Sequence, residues 1–379
     1  MVRTSLLLAA TTFSVSAHPP WRADHSMRSA HTSSLRAQGT KEVRFSDEVV
    51  SYPTMIVADP TDRFFVSDQG PARILMLGSD GQVLRRIGRE GSGPGEYRAP
   101  SLGAIANGLF VHDAQLRRLS AFSLDGKIRW TRPSTCCGLH KVGLDSRGRI
   151  YVLSRPLVFG IPILEAAVYA YDSLGAFVDS VIVPNAVPGG ATMWNRTSSE
   201  GATSVPVPFT PAAYYLVTPS GSLVFGFSSE YVLYRGRSAR DGVVVIRRPW
   251  RPEPLPPEVR ERAVGALVDE FSRFVGRRQA MDMFKSEDVP RTGQAFYGLD
   301  SDACGRIWVL RSPPDQGDTR FDIFDAEGKF VEEFRIKGLL LSPPRWAVGK
   351  RTLSAVFEDA QGAPRIGMVP VRLSNHDAC

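Results

Sequence analysis

The sequence predicts an all-β chain folded as a six-bladed β-propeller with one amphipathic helix inserted between the fourth and fifth blades. Three observations carry that expectation. A strand–turn pattern repeats at a fixed spacing: Asp68 and Asp113 lie 45 residues apart, and so do Gly81 and Gly126. Apolar and aromatic runs of four to eight residues, punctuated by Gly, Asp and Pro turns, continue to the C-terminus. The last repeat lacks an outer strand, while Glu42–Phe45 has nothing to pair with in the first. Both ends are satisfied at once if the N-terminal strand completes the last blade and closes the ring, which removes exposed sheet edges.

Taken from the N-terminus, residues 1–17 read as a signal peptide. Arg3 supplies the positive start, Leu6–Phe13 is apolar or small, and Val15-Ser16-Ala17 fits a cleavage site. That apolar core is too short to span a bilayer. Residues 18–40 are rich in Ser, His, Arg and Pro and read as a flexible tail. Residues 41–375 form the single propeller domain.

The first repeat runs through Phe64–Asp68, Arg73–Leu77 and Ser79-Asp80-Gly81. The second runs through Leu109–Asp113, Arg118–Phe122 and Leu124-Asp125-Gly126. Gly148–Val152, Gly221–Phe225 and Gly305–Val309 open the third, fourth and fifth. The sixth starts near Trp346 and includes Leu353–Phe357 and Arg365–Leu373. Residues 186–212 are too polar and too rich in Pro and Gly to supply a seventh blade.

Residues 256–285 break the strand pattern. Pro256-Pro257-Glu258 is a helix start, and Val264, Leu267, Val268, Phe271, Phe274 and Val275 recur at helical steps. The helix is expected either to fill a groove on the ring or to cover the channel mouth.

Between the first two repeats stands Gly88-Arg89-Glu90-Gly91-Ser92-Gly93-Pro94-Gly95-Glu96-Tyr97-Arg98-Ala99-Pro100. Its glycines and prolines exclude a helix interior or a paired strand. This run resembles the glycine-rich connector of NHL-type propeller repeats. From Lys41 to Leu373 the chain resembles the exported six-bladed propeller proteins of bacteria that are related to those repeats. The resemblance implies binding or scaffolding first, and hydrolase or lyase chemistry second.

The net charge is +7 and the isoelectric point about 9.4. Only seven of the 46 basic residues are lysine, and there is no basic run or recognition motif, so nucleic acid is not expected as a partner. Acidic polysaccharide remains compatible. Cys136, Cys137, Cys304 and Cys379 allow two disulfides in a secreted or periplasmic protein, with the pairing open.

Asp68 with Arg73, and Asp113 with Arg118, recur at equivalent positions and read as scaffold pairs, because a binding site breaks symmetry. Gly91, Gly93 and Gly95 are expected to shape the connector. Asp59, Asp145 and Asp300 read as turn residues that close first strands. They are also the carboxylates that a metal-dependent, lactonase-like hydrolase would need in its channel. A lyase of the peptidylglycine type would need a histidine-bound zinc, and only His112 and His140 lie in the repeats. A divalent metal belongs to this alternative alone, and no cofactor is otherwise expected.

The favoured expectation is a non-enzymatic, monomeric scaffold. It would bind a protein or glycan through its irregular loop face, with Tyr97, Arg89, His112, Arg155 and Arg311 as contacts. That face would also carry residues 156–164, 186–212 and 313–319.

Overall fold

The computed structural model describes residues 43–68, 73–105, 107–113, 115–134, 141–154, 165–184, 192–198, 201–236, 243–311, 318–337, 345–358 and 363–373. The signal-like segment, the tail, Arg155, His140, Cys136, Cys137, Cys379, the Asp241-Gly242 turn and most of the irregular loops lie outside these residues.

Six four-stranded antiparallel sheets form the blades. Blade one holds Pro53–Ala58, Phe64–Asp68, Arg73–Leu77 and Val83–Ile87, from the inner strand outward. Blade two holds Pro100–Ile105, Gly108–Asp113, Arg118–Ser123 and Ile128–Pro133. Blade three holds Gly143–Leu144, Ile150–Ser154, Glu165–Tyr171 and Phe177–Pro184. Blade four holds Ala213–Val217, Leu223–Phe227, Val232–Gly236 and Val243–Arg247. Blade five holds Gly298–Ser301, Ile307–Leu310, Thr319–Phe324 and Phe330–Ile336.

The sixth blade closes the ring. Trp346–Val348, Thr352–Glu358 and Pro364–Pro370 supply its first three strands, and Arg44–Val49 is the fourth. Arg44 pairs with Met368, Phe45 with Gly367 and Val49 with Arg365. Ser46 Oγ then donates to Gly81 O of blade one at 2.6 Å. Glu48 meets Arg73 at 2.6 Å and Arg86 at 3.1 Å, so the closing strand is tied to blade one as well.

Side chains alternate across each strand, and the alternation packs one blade on the next. In Phe64–Asp68, Phe64 and Val66 join Ala347, Val356 and Ile366 of blade six, while Phe65 joins Leu102 and Val111 of blade two. The same arrangement repeats between blades two and three, three and four, and four and five. A residue pattern that would be too apolar for a one-sided sheet is therefore correct here, because both faces of a blade are covered.

The insertion after blade four contains α1 (Pro257–Val275) and α2 (Arg277–Met283). The helix expected from the sequence is interrupted at Gly276, whose φ of 78° and ψ of 148° end one helix and start the next. Val259, Ala263, Val264 and Val268 pack with Trp308, Phe321, Phe334 and Leu353 of blades five and six. Residues 193–206 add a hairpin, Met193–Ser198 with Gly201–Pro206, which the polar sequence did not suggest. Trp194 of that hairpin donates from Nε1 to Asp288 Oδ2 at 2.7 Å and stacks edge-on to Phe284 at 5.1 Å. The insertion thus fills a groove on the ring.

The connector between blades one and two folds back on itself. Contrary to the expectation that the connector holds no paired strand, Arg89 and Glu90 pair in parallel with Glu96 and Tyr97, beside the glycines rather than at them. Gly91 and Gly95 have φ of 150° and 78°, whereas Gly93 has no positive φ. Gly88 is the tightest point: its φ is 65°, and a Cβ there would come within 2.3 Å of the Tyr97 ring.

Two outcomes follow from these contacts. Deleting residues 41–49 should open the edge of blade six, lower the melting temperature and shift the protein to larger species in size-exclusion chromatography. Unchanged melting and elution would show that the closure contributes nothing. Gly88→Val should cost about 2 kcal/mol or more in denaturant unfolding, because it combines a left-handed backbone with a ring clash; a loss under about 0.5 kcal/mol would contradict the packing described.

Candidate functional site

The six inner strands surround an open cavity of about 1130 Å³, with lining residues from every blade. Among the described residues, none of α1 or α2 lines the cavity. The strand register allows the six blades to be compared level by level. Val57, Gly103, Gly143, Leu216, Asp300 and Ala347 pair with equivalent second-strand residues. Five are apolar or glycine, and Asp300 is the exception. Two residues earlier stand Met55, Ser101, Lys141, Tyr214, Gly298 and Arg345. This level carries two cations, on blades three and six, which are opposite in a six-bladed ring.

Lys141 and Asp300 meet. Lys141 Nζ lies 2.5 Å from Asp300 Oδ2, joining blade three to blade five in front of blade four. Asp300 Oδ2 also accepts from the Val348 backbone N–H at 3.4 Å, and Oδ1 from that of Ser301 at 2.9 Å. The lysine side chain is 37% exposed and the aspartate 10%. The surrounding wall includes Tyr151, Tyr214, Tyr215, Tyr297 and Trp346. Burial, then the negative charge of Asp145, raises the Tyr151 phenol. Burial pushes the Tyr297 phenol up to about 12.

Asp300 does not end its strand in a turn, which corrects the sequence expectation. The residue equivalent to Asp59 and Asp145 is Asp302: each N–H bonds the carbonyl four residues on, at Arg63, Arg149 and Arg306. These turn carboxylates are fully engaged. Asp59 accepts from Thr61 N, Arg63 N and Arg63 Nε at 2.7, 3.1 and 2.7 Å. Asp145 accepts from Arg147 N and Arg149 N, each at 2.9 Å, and from Tyr151 OH at 3.1 Å. Asp302 accepts from Cys304 N, Arg306 N, Arg306 Nε and Trp308 Nε1. Among the described residues no three His, Cys, Asp or Glu side chains converge. The three turn carboxylates are thus taken up by donors of their own blades.

Of the two expected scaffold pairs, Asp68 and Arg73 form an ion pair, whereas Asp113 and Arg118 are cross-strand neighbours that bind the connector separately. Asp68 accepts from Ser51 N and Tyr52 N at 3.3 and 2.8 Å and pairs with Arg73 at 3.1 Å. Asp113 accepts from Arg98 N and Leu116 N at 2.6 and 2.9 Å. Arg118 donates to the carbonyls of Ser92, Gly93 and Glu96. In both blades the aspartate holds amides of the chain that enters its inner strand.

Of the residues expected on a binding face, Tyr97 and His112 are buried, and Arg311, 21% exposed, is held by an internal ion pair. Tyr97 is 1% exposed and donates to Ile87 O at 2.5 Å, because the connector folds its ring into the core between blades one and two. His112 is likewise 1% exposed, since its strand is covered on both faces. Arg311 lies over the Tyr231 ring and pairs with the buried Asp322 at 3.0 Å, a carboxylate shared with Arg248 at 2.9 Å and Tyr231 OH at 2.6 Å. Burial is the largest single influence on Arg311 and lowers its pKa, but the charges of Asp322, Tyr231 and Glu253 and the hydrogen bond to Asp322 together raise it. Arg89 is exposed and pairs with Glu96 at 2.8 Å.

Cys304 takes part in a disulfide whose other half lies outside the described residues. Among the described residues, no helix is long and apolar enough to cross a membrane.

No protein-family model matches the chain, and no curated protein does. Solved structures do resemble it. A Bacteroides fragilis protein taken to be exported shares 13% identity over 90% of this chain and 98% of its own, with a TM-score of 0.49. A DUF4221 family member from Bacteroides vulgatus shares 11% over 90% and 98%, at 0.48. A gluconolactonase from Xanthomonas campestris shares 12% over 86% and 87%, at 0.40. At these identities the likeness is one of fold.

Tyr297 gives the cavity wall a measurable signature. Its proton is held more tightly in the folded chain than in the unfolded one, so stability is intact below pH 10 and falls as the pH rises toward 12. Tyr297→Phe should make the unfolding free energy decline less steeply across that window; an identical slope would show that this phenol is not buried.

Proposed function

We propose that the protein is an exported, non-catalytic binding propeller that takes a saccharide in its central cavity. The observation that carries this reading is the Lys141–Asp300 pair, set among tyrosines inside an open cavity of about 1130 Å³. That volume is slightly above the range of about 300–1,000 Å³ common for ligand pockets, which are apolar and aromatic with a few placed polar groups. A sugar hydroxyl both donates and accepts, so it can address the carboxylate of Asp300 and the ammonium of Lys141. The apolar faces of sugar rings suit tyrosine rings such as Tyr214.

The cavity is favoured over the irregular loop face because Tyr97 and His112 are buried and Arg311 is held by Asp322. It is favoured over hydrolysis because the turn carboxylates are each held by several donors. Export is supported by the signal-like first 17 residues and by the Cys304 disulfide, which suits an oxidising compartment.

The test is calorimetric titration of the protein with a panel of neutral and acidic disaccharides. At least one should bind, and Tyr214→Ala should weaken it tenfold or more with the melting temperature kept. Binding that is indifferent to Tyr214→Ala, or no binding across the panel, would overturn the reading.

A further inference from the structure

We infer that the saccharide carries a carboxylate and that Lys141 reads it; this rests on the cavity reading above. The symmetry of the ring makes Lys141 conspicuous. At its level the other blades offer Met55, Ser101, Tyr214, Gly298 and Arg345, and no acid. Arg345 lines the same cavity from the opposite blade. One pleat further in, Asp300 is the lone ionisable residue among six.

The ammonium is already shown holding a carboxylate, at 2.5 Å. An ammonium has three donors. Asp300 takes one, and the other two have no partner among the described residues. With the lysine side chain 37% exposed toward the cavity, a second carboxylate can dock on those donors without breaking the existing pair. Charge-assisted bonds of this kind are about twice as strong as neutral ones.

The remaining charges do not oppose an anion. Asp59 and Asp302 are neutralised by Arg63 and Arg306, and Asp145 lies beside Arg147. The chain as a whole is at +7. A neutral sugar would leave both lysine donors to water, whereas an acidic one would use them.

The experiment compares disaccharides of galacturonate, glucuronate and mannuronate with their methyl esters, by calorimetric titration of the full chain. Esterification removes the charge and keeps the ring. One acid should bind at least tenfold more tightly than its ester, and the advantage should shrink as salt is raised. In Lys141→Gln the acid-to-ester ratio should fall to about one, while Lys141→Arg should keep a preference of several-fold. Asp300→Asn should increase the acid's affinity, because it removes the negative charge that competes with the ligand for the ammonium.

Equal binding of acids and esters, or a preference that survives in Lys141→Gln, overturns this inference and leaves the cavity reading in place. Absence of binding by every acid, every ester and every neutral disaccharide overturns both. The arginine variant guards against misreading a folding defect, since it keeps the charge and the hydrogen bond.

Discussion

Closure of the ring by Arg44–Val49 is the constraint on which the other contacts depend. Each blade presents two apolar faces, and neither is covered unless the blades on both sides are present. Blade six covers blade one through Ala347, Val356, Ile366 and Met368, and the chain's first strand completes that blade by pairing with residues 364–370. The closing strand does more than fill an edge. Glu48 reaches Arg73 and Arg86 of blade one, and Ser46 reaches the turn at Gly81. A strand from one end of the chain therefore ties the first and last repeats together, and the cavity exists because that circle is complete.

Most of the architecture was legible in the sequence for a physical reason. The period-two alternation, the Asp-Gly turns and the 45-residue spacing are local signals, and the local structure they specify is repeated. The missing outer strand of the sixth repeat was an equally clear signal, because an unpaired edge has few remedies. The hairpin at Met193–Pro206 was not legible. It is polar, and its stability comes from Trp194 packing on Phe284 of the insertion rather than from its own pattern. The break at Gly276 was missed for a related reason: a single glycine in a helical pattern is compatible with a continuous helix until tertiary packing decides.

The site was less legible than the fold. Tyr97, His112 and Arg311 stand where loops meet strands, and from sequence alone such residues look exposed. In a propeller that zone is wrapped by the neighbouring connector, so Tyr97 and His112 end in the core, while Arg311 stays partly exposed and is held by Asp322. Asp300 was misassigned to a turn, although a signal was available. Asp302-Ala303-Cys304-Gly305-Arg306 matches Asp145-Ser146-Arg147-Gly148-Arg149 position by position. That alignment gives the turn to Asp302 and leaves Asp300 as an acid in a strand, with no structural duty that the repeat explains. Lys141 carried no such signal, since its importance comes from which blade it faces across the ring.

The energetics of that pair bear on why it is there. An exposed ion pair contributes about 0–1 kcal/mol, and a more buried one must recover the desolvation of both charges. Lys141 and Asp300 lie between these limits, and apolar residues fill the level of Asp300 in the other blades without difficulty. Stability alone therefore gives little reason for the pair. The turn carboxylates show the contrast: each is held by amides or an arginine from within its own turn, repeats around the ring and accounts for a fold feature. Lys141–Asp300 repeats nowhere, joins blades that are not neighbours, and faces open space. Charge placed at a cost in one position of a symmetric scaffold is the arrangement expected where the scaffold meets a ligand, and in this chain that position is the middle of the channel.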